Sequence, residues 1–581
     1  MSKQAVPRSL TIEALRKGYR NRSFTPIDVI EAILERAEAS AESHIWIAPP
    51  VMERIQPYLE RLERLSPEQC PLWGIPFAVK DNIEVAGWPV TAACPDFAYT
   101  PESHAAVVER LVAAGAIPVG KANLDQFATG LVGTRSPYGA AHNALRPELI
   151  SGGSSSGSAI AVACGQAAFA LGTDTAGSGR VPAALNGLVG YKPAVGAWPS
   201  AGVIPACRSL DCVTVFAHSI DDCLTVDRQA RGYVESDPYS AARSLSNPVM
   251  PELFLIPEGP LEFFGPFAAV YEQAWEQAKR TLIDTGCLVE AIDISMLLEA
   301  SSLLYEGPLV AERWADLEAF VIAHPGATLP VTEQILRSGE KATYTAAALF
   351  QAQYRLAEIK RMTEKWLKNA ILVLPTAGGT WTREQVAADP VDTNRKMGLY
   401  TNHCNLLDMS AVAIPAGEAE EGLPFGITLF SLADEEANLS SAARAFLLQA
   451  ETVTVAVCGL HMRGMPLEQQ MLGLGATFIE ETQTAPRYEM YRLPTTPPKP
   501  GLVRVSEKEG GREIAIELWR MPYRSFGKFT ASIPAPLGIG KVELTDGRTV
   551  PGFLCESYAA DPERNISEAG GWRNWLKSPI A

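Results

Sequence analysis

Apolar positions recur along this chain at two spacings, and the two alternate. After Thr25-Pro26, a helix-opening pair, Ile27, Val29, Ile30, Ile33 and Leu34 follow at helical spacing. Ile75, Phe77 and Val79 alternate, which predicts a strand ending near Lys80. Ser103 opens an amphipathic helix through Val107, Val108 and Leu111 to Gly115, and AIPVGKANL after it reads as a short buried strand. Helical patterning returns over 299–317 and 341–368, and the apolar runs 371–375 and 426–430 suit buried strands. Such alternation predicts an α/β fold, a central sheet with helices on both faces.

The pattern changes near residue 450. A helix ending in AARAFLLQA gives way to TVTVAVCG, and the rest is rich in strands and turns, with Asp546-Gly547 as a hairpin signal. Charge changes there too. From Thr454 onward 15 Lys and Arg meet 14 Asp and Glu, a net of +1, so the part before it carries −17 against the chain's overall −16. Two domains are expected, 1–450 and 454–581, joined by a short linker.

That charge narrows the function. An acidic chain is a poor general binder of nucleic acid and is repelled by anionic membranes. Any anionic ligand must be held by local cations against the global field. A 47% hydrophobic, 20% charged composition excludes a mainly disordered chain. The start lacks the apolar core of a secretory signal, and ten Cys are scattered without a C-x-x-C pair, so a cytoplasmic protein with reduced thiols is expected. Seven dispersed His show no zinc spacing, and no metal is expected. Residues 150–173 carry no charge over a bilayer-spanning length, but their Gly/Ser-rich opening and Gln166 fit a buried helix better.

Chemistry concentrates in that stretch. Residues 152–158 read GGSSSGS, an Ala-rich run follows over 159–170, and a second turn, GTDTAGSGR, spans 172–180. A Gly/Ser run alone is usually a linker. Two such turns flanking one apolar run point instead to backbone amides that approach a ligand. A Ser on such a turn is a nucleophile beside an oxyanion hole. None of the seven His falls in a context that would supply the usual base. A Lys whose pKa burial lowers can serve as base, and Lys80, ending an apolar strand before Asp81-Asn82, is the candidate.

These segments resemble the amidase signature family over most of residues 1–450. The family's Lys falls on Lys80 in GIPFAVKDN, its bridging Ser on Ser154 and its nucleophile on Ser178, at the family's spacing of 24 residues. The resemblance implies a mixed central sheet, a cis peptide before Ser154, and an oxyanion hole from the amides of Thr175, Ala176, Gly177 and Ser178. Asp174 and Arg180 flank the turn and are read as structural, bracing it through a salt bridge. The variant TDTAGSGRVPAA resembles the allophanate hydrolase branch. There Tyr305 and Arg313, eight residues apart on one helix face, and Gly130 would contact the substrate. A guanidinium suits a carboxylate. The tail resembles that branch's smaller α+β domain, of γ-glutamylcyclotransferase-like fold, in VAVCGLHMRGMPLEQQMLGLGATF, TAPRYEMYRLP, PPKPGLVRV, IPAPLGIGKVELTDGR and GFLCE. His461 lies in the motif nearest a decarboxylation role, while Tyr488 and Glu517 are read as a packing and a surface residue.

The resemblance implies hydrolysis of allophanate to ammonia and N-carboxycarbamate, whose decarboxylation gives further ammonia and carbon dioxide. It implies no cofactor, a urea carboxylase or a cyanuric-acid pathway as substrate source, and a homodimer. Three alternatives stand beside it: a broad-specificity amidase, one component of a tRNA-dependent amidotransferase, and a non-enzymatic scaffold binding a small metabolite.

Overall fold

In the computed structural model, residues 6–450, 452–506 and 510–578 are described, with only the backbone of Arg524. Contacts divide the chain into two compact units, Met1–Phe446 and Leu447–Ala581. The helix Asn438–Ala450 runs across that division.

The first unit is built on an eleven-stranded sheet. Its strands are β1 (Trp46–Ala48), β2 (Pro76–Lys80), β3 (Ile117–Ala122), β4 (Phe169–Asp174), β5 (Val189–Lys192), β6 (Cys212–Ala217), β7 (Leu253–Pro257), β8 (Leu288–Ile292), β9 (Ala370–Pro375), β10 (Met409–Glu420) and β11 (Leu423–Leu432). They lie in the order β1-β3-β2-β4-β6-β5-β10-β11-β9-β7-β8. The sheet is mixed, as expected: β3, β2 and β4 run parallel, as do β9, β7 and β8, and the joins between these groups are antiparallel. Strand β2 is wholly buried although its sequence alternates, because parallel central strands are covered on both faces. The carboxyl ends of β2, β3 and β4 lie together, where open α/β sheets place their ligands. Lys80 ends β2 and Asp174 ends β4.

Several predicted elements take different forms. Thr25 caps the helix Pro26–Ala39 in a capping box with Asp28, as its sequence indicates. The Ala-rich run is not one helix. It forms the buried helix Ser156–Ala163, turns at Gly165 (φ +66°), and continues as β4. Short apolar runs fit either structure, and here the neighbouring strands decide. The helix predicted over 299–317 is two helices, Ser295–Tyr305 and Ala311–Ala323, parted by Gly307 and a 3₁₀ turn that Pro308 opens. The next long helix begins at Ala346, capped by Thr345, rather than at residue 341. No helix among the described residues is long and apolar enough to cross a membrane.

The second unit is smaller and α+β. Strands β12 (Thr452–Val457), β13 (Thr477–Gln483), β14 (Tyr488–Leu493), β15 (Lys499–Arg504), β16 (Ala515–Pro522), β17 (Leu537–Glu543) and β18 (Thr549–Cys555) form a five-stranded sheet, β13-β16-β12-β18-β17, and a β14-β15 ribbon. Gly547 (φ +87°) makes the turn of the β17-β18 hairpin at the predicted place. Val455, Leu518, Trp519 and Phe529 pack in its core. Glu517 is no surface residue: it is fully buried, with its carboxylate accepting from the Arg463 amide at 2.8 Å, Arg573 Nη2 at 2.7 Å and Trp519 Nε1 at 3.0 Å. Arg463 Nε adds a fourth donor at 3.4 Å, and a buried carboxylate requires such partners. Tyr488 is buried in the core, and its hydroxyl accepts from the Glu543 amide at 2.8 Å.

Candidate active site

Lys80 is entirely buried, and its Nζ donates to Ser154 Oγ at 2.8 Å and Thr173 Oγ1 at 2.7 Å. Burial lowers its pKa to about 7, against the opposing fields of Asp211, Asp125 and Asp174. A lysine in this position spends much of its time as a neutral amine near neutral pH.

Ser154 enters through backbone that demands glycine. The Gly153–Ser154 peptide is cis. A Cβ on Gly153 would lie 2.0 Å from Asp125 Oδ2. Asp125 organises this corner: its amide donates to Ser154 O at 3.0 Å, and its carboxylate accepts from the amides of Gly133 (3.0 Å) and Arg135 (2.9 Å). Gly130 belongs to the same corner, with the position of a Cβ only 2.5 Å from Asp125 Oδ2.

Ser178 sits on the turn after β4. Asp174 holds this turn from inside, accepting from the Gly177 amide at 2.7 Å, the Gly179 amide at 3.0 Å, and Arg180 Nε and Nη2 at 2.9 and 3.0 Å. Burial favours the neutral acid, but the Arg180 guanidinium overrides it and keeps the Asp174 carboxyl below the usual range. Thr401 Oγ1 donates to Ala176 O and Asn405 Nδ2 to Asp174 O, both at 2.7 Å. Thr175 Oγ1 donates to Asp211. Only glycine fits position 177, where φ is +139° and a Cβ would lie 2.3 Å from Thr401 Oγ1.

The expected four-amide oxyanion hole is narrowed by this bracing. The Gly177 amide is committed to Asp174, leaving those of Thr175, Ala176 and Ser178 without a hydrogen-bond partner among the described residues. Lys80 and Ser154 are in contact, whereas Ser178 Oγ has no hydrogen bond among the described residues, so the link between the two serines is open here. Catalytic hydrogen bonds commonly tighten only with substrate bound.

Tyr305 and Arg313 meet, though on successive helices rather than one. Arg313 Nη2 donates to Tyr305 Oη at 3.1 Å, and the guanidinium lies 5.1 Å from the ring centroid. Its Nη1 donates to Thr129 Oγ1 at 3.3 Å, its Nε faces no acceptor, and the residue is only 1% exposed. Beside them opens a cavity of about 590 Å³, whose wall includes Gly130, Arg135, Tyr305 and Asn402. Arg337, Lys341, Arg395 and Glu306 also line it, with Arg337 paired to Glu333 at 2.8 Å and Arg395 to Asp392 at 2.6 Å. Asn402 connects this wall to the nucleophile's turn through its neighbour Thr401.

His461 belongs to the second unit and lies against a cavity of about 100 Å³ that Gln470, Lys499, Phe529 and Phe553 also line. Its Nε2 pairs with Gln470 Oε1 at 3.0 Å and its ring stacks on Phe553 at 5.1 Å. Burial lowers its pKa, which favours neutral imidazole. Among the described residues, no group of three or more His, Cys, Asp or Glu is placed to hold a metal.

Sequence reasoning missed Thr173, Asp125, Asp211, Thr401 and Asn405. Thr173 stood inside the GTD motif already singled out, and its place one residue before the end of β4 was the available signal. The others lie where no periodic pattern marks them.

Among known proteins, the amidase family matches residues 28–439, and the allophanate hydrolase C-terminal domain matches residues 453–577. The chain is 38% identical to urea amidolyase of Saccharomyces cerevisiae over 96% of its own length and 32% of the yeast protein. It therefore spans about a third of that curated relative. The structure of Kluyveromyces lactis allophanate hydrolase superposes with a TM-score of 0.70 at 35% identity, covering 98% of this chain and 99% of that one. A glutamyl-tRNA(Gln) amidotransferase component from Symbiobacterium thermophilum is 32% identical, over 72% of this chain and 92% of that protein.

Proposed function

The chain belongs to the amidase family and carries the allophanate hydrolase C-terminal domain, and on that basis we propose that it hydrolyses allophanate, the carboxylated form of urea. It is an amidohydrolase. The observation that carries the substrate is Arg313: a buried guanidinium with no acidic partner among the described residues, beside a tyrosine hydroxyl and a cavity. Such a cation is stable only if neighbouring groups or a ligand compensate it. Tyr305 Oη accepts from Arg313, so its own proton is free to point toward a ligand.

In this reading neutral Lys80 takes the proton of Ser154, and Ser154 takes that of Ser178 as its Oγ attacks the ureido carbonyl carbon. The amides of Thr175, Ala176 and Ser178 hold the oxyanion; one such donor is typically worth about 2.7–4 kcal/mol. As the carbon–nitrogen bond breaks, Ser154 gives its proton to the leaving nitrogen and Lys80 restores that of Ser154, so ammonia departs. Water, deprotonated through the same relay, then releases N-carboxycarbamate from Ser178. That dianion takes a proton on nitrogen as one carboxylate departs as carbon dioxide. The resulting carbamate decays to ammonia and a second carbon dioxide. Of the two upstream sources, a urea carboxylase and a cyanuric-acid pathway, the similarity to urea amidolyases favours the first. The amidotransferase similarity leaves the tail unaccounted for, since it covers 72% of the chain.

Two measurements test the reading. Losing a charge-assisted pair to the substrate, R313Q is expected to lower kcat/KM for allophanate by about 10- to 100-fold, while biuret, the uncharged analogue, changes little. Equal loss on both substrates would remove the clamp. For the second unit, H461A is expected to leave the first ammonia release intact and to slow carbon dioxide release. Unchanged carbon dioxide kinetics would deny His461 a chemical role.

A further inference from the structure

Arg135 stands across Thr129 from Arg313. It is 3% exposed, forms no ion pair among the described residues, and its Nε faces no acceptor. Its Nη1 donates to Thr129 O at 2.9 Å and its Nη2 to Pro390 O at 2.6 Å. Thr129 is thus gripped from both sides, by Arg135 at its carbonyl and by Arg313 at its hydroxyl. The nearby carboxylates accept from neutral donors and bond neither guanidinium, acting on them only through their fields. Asp125 serves the amides of Gly133 and Arg135, and Asp211 serves Thr175 and the amides of Ala206 and Cys207. Two buried guanidiniums therefore flank Thr129-Gly130 beside one cavity. Tying two carbonyls together needs donors but no charge, and burying a charge is unfavourable. An anion entering the cavity, which Arg135 lines, would add to the compensation that Asp125 and Asp211 give from a distance.

Resting on the reading of Arg313 as a carboxylate clamp, we infer that Arg135 is a positioning and specificity residue of the same site. It holds Thr129 for Arg313, and its charge makes the cavity prefer carboxylated amides to neutral ones. Its guanidinium need not touch the substrate, because charges in a poorly solvated site act at a distance.

The test measures kcat and KM of the full chain and its variants R135Q, R135K and R313Q on allophanate and biuret. R135Q is expected to raise KM for allophanate by about tenfold or more with a smaller change in kcat and with biuret nearly unchanged, the signature of a lost long-range charge. R135K keeps the charge and is expected to keep most of the preference for allophanate, even if it is less stable. Should R135Q weaken both substrates alike, Arg135 is a structural clamp and the inference fails. Should R135Q not fold, R135K decides: loss of the preference in that charged variant contradicts an electrostatic role. If R313Q shifts the preference and R135Q does not, the clamp stands and this inference falls. If neither shifts it, both fall.

Discussion

Replacing Ser178 with alanine is expected to lower ammonia release from allophanate by about three orders of magnitude or more, because no acyl-enzyme can then form. The fold gives reason to expect a clean result. Ser178 Oγ makes no hydrogen bond among the described residues, and the turn is held by Asp174, Arg180, Thr401 and Asn405, none of which the substitution touches. S178A should therefore fold, bind allophanate and fail to turn it over. Binding measured by calorimetry alongside the lost rate separates a missing nucleophile from a collapsed site. Residual turnover near the wild-type rate would place the nucleophile elsewhere.

The second large effect concerns Lys80. With an amine pKa near 7, the fraction of neutral base falls tenfold for each pH unit below that value. The rate kcat/KM should rise with pH and level off above about 7. K80R is expected to lose about three orders of magnitude at every accessible pH, because a guanidinium cannot deprotonate and so cannot act as base. The same shift bears on stability. Between pH 7 and the ordinary lysine value of 10.5 the unfolded chain binds more protons at this position than the folded one. Folding stability at Lys80 thus increases as pH rises through that window and is lowest below it. A K80M variant, lacking the titration, should show a flatter dependence in chemical denaturation across the same range.

How much of this could be read from the chain alone follows from where each group sits. Lys80, Ser154 and Ser178 announce themselves because each lies at or beside the end of a regular element, inside a dense local motif. The support around them does not. Asp125 and Asp211 reach the site from loops, and Thr401 and Asn405 arrive from 225 and 231 residues beyond the residues they hold. No periodicity marks such residues, since only the sheet topology brings them there. The helix break at Gly307-Pro308 was visible in the sequence, and the eight-residue spacing of Tyr305 and Arg313 hid it: a two-turn spacing and a kinked corner can both bring two side chains together. The Ala-rich run failed for a different reason, as small apolar residues satisfy a buried helix and a buried strand equally. Glu517 had a signal that was overlooked. Trp519, two residues on, shares its strand face, and a face carrying a buried tryptophan leaves no solvent for a carboxylate.

The account depends on a base that is uncharged at working pH and coupled to the serines. Titration of the Lys80 amine by nitrogen-15 NMR in lysine-labelled protein, with K80R to assign the resonance, tests it most directly. A midpoint near 7 that coincides with the midpoint of kcat/KM for allophanate is the predicted result. A Lys80 resonance that titrates in the ordinary lysine range while the rate still turns near neutrality would contradict it.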